Sequence, residues 1–266
     1  MYTGTMNLLF LKALLTPSLI GLVSVAGRRW GPAVSGLLVG LPLTSGPVLL
    51  ILALQNGTDF AADTARGIIF GTISVAIFCL TYAWAALRWR WPGALLASWL
   101  VFLAATALLQ LAILPLALAF ALCVAVAAVA LALFPRIPTK EAVVVTPPMW
   151  DIPARMAVAT VFVLLLTGLA PRLGPHLTGL LAPFPIFGTI LATFTHAQAG
   201  TAAALRLLRG LLVGLLSFAS FFLVAGMLIV PAGILPAFVA AIIATVIVQS
   251  ASQWLFARRR EPRYAG

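Results

Sequence analysis

Residues 31–74 read GPAVSGLLVGLPLTSGPVLLILALQNGTDFAADTARGIIFGTIS, and residues 174–217 read GPHLTGLLAPFPIFGTILATFTHAQAGTAAALRLLRGLLVGLLS. Aligned without a gap, with Gly31 on Gly174, the stretches share 14 identities over 44 positions. A composition this biased gives roughly a tenth by chance, or about four. Gly31-Pro32 meets Gly174-Pro175, Pro42 meets Pro185, and Gln55 meets Gln198. Gly57-Thr58 meets Gly200-Thr201, and Arg66-Gly67 meets Arg209-Gly210. Glycine and proline punctuate backbone, while glutamine and arginine place polarity, so these matches weigh more than shared leucines. The pattern is that of an internal duplication, and two positions are equivalent below when this register pairs them.

Outward from the repeat, the 266 residues are 63% hydrophobic and 8% charged, with mean hydropathy +1.17. Five acidic and 16 basic residues are too few to cover a water-facing surface of this size. Lipid is the solvent that accepts it. The net charge of +11 raises nucleic acid as a partner, but the placement of the charges argues otherwise. They fall between apolar runs, at Arg28-Arg29, Arg88 and Arg90, and Arg258-Arg259-Arg260. That is a signal of membrane orientation, and the expected partners are lipid and a small solute, with no nucleic acid. Cys79 and Cys123 lie inside apolar runs without metal-like spacing and read as small core residues.

A spanning helix needs about 20 apolar residues. That ruler gives nine runs, at 7–26, 31–54, 65–87, 93–113, 115–134, 154–170, 174–196, 206–229 and 232–256. The first is read as an uncleaved helix. The expected organisation is a first repeat core at 1–91, further helices at 92–135, a proline-rich cytoplasmic linker at 136–153, a second repeat at 154–257 and a basic tail at 258–266. With the N-terminus outside and the C-terminus cytoplasmic, 13 of the 16 basic residues fall on the cytoplasmic side of an inner or plasma membrane. Trp30, Trp89, Trp91 and Trp254 fall at span ends, where interfacial aromatics are expected.

The repeat and the span count predict a geometry together. Span two corresponds to span seven and span three to span eight, five crossings apart. Because five is odd, equivalent spans run in opposite directions, with the fifth span as the unpaired helix that permits the inversion. The expected fold is therefore an all-α polytopic membrane protein of two inverted-topology repeats. Spans two and seven carry Gly40-Leu41-Pro42-Leu43-Thr44-Ser45-Gly46-Pro47 and Pro183-Phe184-Pro185-Ile186-Phe187-Gly188-Thr189 near their middles. Prolines with glycine and hydroxyl residues break a helix, and broken backbone at that depth needs protein or a cavity around it. The freed carbonyls and N–H groups carry partial charge that can hold a polar group. Pro42, Thr44, Ser45, Gly46, Pro185, Gly188 and Thr189 are accordingly the candidate substrate-binding residues. A proline kink used only for packing is the alternative.

Five further residues are candidates for gating or coupling. Gln55 and Gln198 end the two broken spans and are either gates or ordinary interfacial amides. Arg66 and Arg209 are equivalent, and either snorkel to the interface or draw anions to the two mouths. Asp63, three residues before Arg66, is within helical pairing distance of it. His196 titrates near neutral pH, which fits a proton-coupling group as well as a satisfied interfacial histidine. Asp59, Asp63, Glu141, Asp151 and Glu261 are the whole acidic inventory, and none is expected deep in a span. The chain offers no credible carboxylate pair, metal-ligand set or activated nucleophile, so no enzyme, metal or cofactor is expected. It has no P-loop for ATP either.

Paired broken helices in an inverted repeat resemble the inverted-repeat secondary transporters with crossed, interrupted helices. That broad group includes anion and cation exchangers and bile-acid-type symporters, and the likeness covers the architecture of residues 7–257. The sequence departs from the sodium/proton antiporters of the group in lacking their intramembrane carboxylates. The resemblance implies alternating access around a site between the two breaks, and the missing acidic residues tilt the substrate toward a small polar or anionic solute. The rival readings are a non-transporting membrane scaffold or assembly protein, and a lipid flippase. A homo-oligomer is compatible with each.

Overall fold

A computed structural model describes residues 17–43, 45–109, 111–112, 114–137, 148–161, 165 and 185–258. Among these residues every regular element is a helix. In chain order they are α1 (17–30), α2 (Pro32–Val39), α3 (Ser45–Asn56), α4 (Thr58–Ala86), α5 (Trp91–Leu109), α6 (Leu116–Ala132), α7 (151–161), α8 (Ile186–Ala232) and α9 (Ile234–Arg258). Four of them, α4, α5, α8 and α9, are long and apolar enough to cross a membrane. That is the make-up of a membrane protein. The expected spans at 7–26, 154–170 and 174–196 lie partly outside the described residues.

The helix ends follow local chemistry. α2 stops at Val39, and Pro42, which has no N–H to continue the ladder, separates it from α3. Gly57 has φ 90 and ψ 170, and its equivalent Gly200 has φ 80 and ψ 178. Only glycine holds that backbone without strain. Each stands immediately before a long helical stretch, α4 after Gly57 and the second limb of α8 after Gly200. The first limb of α8, residues 186–199, and the second, 201–232, are thus two helices joined by one bend. The starts of α5 and α9, Trp91 and Ile234, are also equivalent positions. The linker expected through residue 153 gives way to helix at 151.

α4 and the second limb of α8 form the centre. They run antiparallel: Ala65 lies beside Gly226, and the Thr201 hydroxyl reaches the Ala86 carbonyl at 3.3 Å. Both helices feed two apolar clusters. One collects Ile20, Phe78, Tyr82, Phe102, Leu191 and Leu208, and the other Leu49, Ile69, Phe222 and Ile229. In lipid, burial between helices gains little from water exclusion, so close packing has to supply the cohesion. Here it comes from glycines. A Cβ at Gly210 would lie 2.2 Å from the Ala33 carbonyl oxygen, and one at Gly40 would lie 2.3 Å from the Gly214 Cα. Farther along, Gly46 faces the Phe221 ring. Ala33, Gly40 and Gly46 therefore meet Gly210, Gly214 and Phe221 in turn, and α2 with α3 forms one interrupted rod parallel to the second limb.

α5 and α9 are peripheral. Leu96, Leu100 and Leu108 on α5, and Val239, Ile243 and Ile247 on α9, are exposed and apolar, as lipid-facing positions should be. One end of the bundle gathers the ends of α1 and α4, the start of α7 and the Gly200 bend, tied by Arg28–Asp151, Thr201–Ala86 and Gln198–Asp151 contacts. Exposed Trp30, Trp89 and Trp150 ring that end, and the Arg29 guanidinium stacks 5.7 Å from the Trp30 ring.

Candidate functional site

The two breaks share local geometry. Gly46 N–H donates to the Pro42 carbonyl at 2.9 Å, and Thr189 N–H donates to the Pro185 carbonyl at 2.8 Å. Both bonds close the first turn of a half-helix, and donor and acceptor are equivalent in the two halves. Pro185 is buried and Pro42 partly so. Each break also packs on the long helix of the other half. Gly46 lies against Phe221 of α8, while a Cβ at Gly188 would sit 3.6 Å from Phe78 of α4 and 3.3 Å from Leu211. Phe78 and Phe221 are themselves an equivalent pair.

The polar groups at the breaks differ in surroundings. Thr189 is buried, and its hydroxyl accepts a 3.1 Å hydrogen bond from the Trp99 indole N–H of α5. Ser45 opens α3 and is half-buried. Thr44 lies outside the described residues. The half-helices α3 and the first limb of α8 both begin at a break, so their positive dipole ends are there. That is a local environment suited to a polar or anionic group.

The five gating candidates separate. Gln55 is exposed at the end of α3, and Arg209 is exposed on α8. Arg66 forms a surface pair with Asp63 at 3.0 Å, at the spacing the sequence indicates. His196 is buried, with Nδ1 3.3 Å from the Tyr82 hydroxyl and Nε2 3.3 Å from the Thr201 hydroxyl. Gln198, unlike its exposed counterpart Gln55, donates from Nε2 to Asp151 at 2.6 Å.

Asp151 is the residue that reading the sequence missed. It is 1% exposed. Its Oδ1 accepts from Arg155 Nε at 2.8 Å and from Gln198, and its Oδ2 accepts from Arg28 Nη2 at 3.0 Å. Burial alone would raise this carboxyl, but the Arg155 and Arg28 guanidinium groups and the Gln198 amide together hold it below its ordinary value. The Arg155 guanidinium also lies 5.2 Å from the Phe194 ring of α8. The i,i+4 spacing of Asp151 and Arg155 was the signal available in the sequence. Tyr82 and Trp99, the partners of His196 and Thr189, carry no sequence signal of that kind. Among the described residues, no three His, Cys, Asp or Glu side chains gather as a metal site. Compared with known protein families, curated proteins and solved structures, the chain matches none.

Proposed function

We propose that this protein is a secondary transporter of a small polar or anionic solute, built from two inverted repeats and working by alternating access around the two helix breaks. The observation that carries the reading is the recurrence of one broken-helix geometry at equivalent positions of the repeat: the proline carbonyl closing the first turn at Pro42 and Pro185, and the glycine bend at Gly57 and Gly200. The antiparallel course of α4 and the second limb of α8, which are equivalent in that register, supports inversion. Half-helix N-termini at both breaks favour an anion or an acceptor-rich solute. The basic end holding Arg28, Arg88, Arg90 and Arg155 would face the cytoplasm, with about nine spans across an inner or plasma membrane.

A scaffold is the second reading, and one observation favours it. Gly188 packs against Phe78 and Leu211, and Thr189 is bonded to Trp99, which describes a dry contact. Thiol access discriminates the two. In a background with Cys79 and Cys123 replaced by alanine, Ser45→Cys and Thr189→Cys are exposed to a membrane-impermeant maleimide from each face. A transporter labels at both positions, and substrate or inhibitor slows the labelling. If both positions stay unlabelled in folded protein, the scaffold reading takes precedence.

A further inference from the structure

The charge cluster at the basic end joins two bodies. α1 and α7 pack together, since a Cβ at Gly21 would lie 3.0 Å from Met156 Sδ. Arg28 of α1 and Arg155 of α7 both bond Asp151, so the two salt bridges stay within this pair of helices. Among the described residues two polar contacts cross from the pair to the first limb of α8, Gln198 to Asp151 and Phe194 beneath Arg155, beside the apolar packing of Ile20, Val23 and Ala159 in the first cluster.

A buried ion pair contributes little to stability, and breaking one by separating its partners leaves a buried charge uncompensated. Here separation of the two bodies need not do that. If α1 and α7 swing away from α8 together, Asp151 keeps both arginines, and what is lost is one amide hydrogen bond, one cation–π contact and the apolar packing of Ile20, Val23 and Ala159, which lipid tails can largely replace. Arg28 is already 32% exposed, so water stands at the edge of the seam. The freed amide and carboxylate oxygens would be hydrated as they part, which offsets the lost bond. Closed and open arrangements then differ by little free energy, as a repeatedly moving contact requires. In the repeat register Asp151, Arg155 and Gln198 correspond to Leu8, Lys12 and Gln55, so no equivalent carboxylate is available to Gln55.

We propose that the Gln198–Asp151 contact is the latch of a gate at the basic end, where α1 and α7 part from the first limb of α8 with the Arg28–Asp151–Arg155 bridges intact. The proposal rests on the transport reading above and assigns its closed state to this end. Ser24 is the reporter: it is buried one turn before Arg28 on the same face of α1, and its hydroxyl has no hydrogen-bond partner among the described residues, so Ser24→Cys breaks no hydrogen bond described there. In the Cys79→Ala, Cys123→Ala background, membrane vesicles of each orientation meet an impermeant maleimide. Gln198→Ala should speed labelling of Ser24→Cys about tenfold from the basic face alone. Phe194→Ala combined with it should speed labelling further. Asp151→Asn should instead lower thermal stability more than Gln198→Ala does, because it weakens the pairing of two arginines. An unchanged labelling rate in the folded double variant overturns the latch. Ser45→Cys and Thr189→Cys, labelled in parallel, report on transport separately: access at Ser24 with neither of these accessible keeps the gate and removes the transport reading.

Discussion

The Tyr82 hydroxyl lies 3.3 Å from Nδ1 of His196, and their equivalents in the other half, Ala225 and Ala53, are alanines buried together in the second apolar cluster. One half of the chain therefore holds a polar pair where the other packs methyl groups. Removing one partner from a buried hydrogen bond costs about 1–3 kcal/mol. Tyr82→Phe should lower the melting temperature of purified protein in detergent by several degrees, given roughly 2–4 °C per kcal/mol in a chain of this size. A melting curve unchanged by Tyr82→Phe would mean that the pair is not a structural bond.

Gly67 and Gly210 are equivalent in sequence but not in surroundings. A Cβ at Gly67 meets nothing within 4 Å, whereas one at Gly210 would lie 2.2 Å from the Ala33 carbonyl oxygen. Gly67→Ala should be neutral or stabilise by up to ~1 kcal/mol through helix propensity. Gly210→Ala should destabilise by about 1–3 kcal/mol or more, because backbone has to move. Thermal melts of the two variants side by side check the contrast, and equal shifts would contradict the close approach of α2 to α8.

Gly57→Ala and Gly200→Ala test the bends. Both glycines sit at positive φ with ψ near 180°, where an added Cβ costs roughly 1–3 kcal/mol in backbone strain even though the space around each is open. The two variants should lose similar stability. An asparagine at either position should not rescue it, since asparagine tolerates the left-handed helical region but not this one.

Acid should loosen the basic end. The Asp151 carboxyl is held below its ordinary value when folded, so its stabilising contribution is fully present above about pH 4 and is lost as pH falls from there through the folded value. The melting temperature should drop with acidification below that point, and Asp151→Asn should flatten that part of the profile while lowering stability at neutral pH. A profile of identical shape in the variant would show that Asp151 does not carry the acid dependence.

Much of this was legible in the residues themselves. Gly40 to Pro47 announced an interruption because proline cannot continue a helical ladder, and α2 and α3 stop and start on either side of Pro42. The repeat register matched Gly57 with Gly200, and the backbone at both is the same. Asp63 and Arg66 paired as their spacing indicated. Asp151 was misplaced for a physical reason. A lone acid among prolines looks like a solvated linker, and what buries it is Arg28, far earlier in the chain, and Gln198, well after it. The difference between Gln55 and Gln198 was equally hidden, since it depends on which partner each equivalent amide meets.

The interrupted rod also bears on how the chain enters a bilayer during synthesis. α2 has 8 residues and α3 has 12, each well short of the roughly 20 that cross hydrocarbon unaided. The surface α2 rests on, from Leu207 to Gly214, is made long after α2 itself. A nascent chain that has just emerged past Asn56 thus has no seat for its first broken segment. The N-terminal half must wait in a provisional position until the second limb of α8 arrives. Final assembly is then a late event, and a ribosome stalled before Gly200 would leave a species for membrane quality control to recognise.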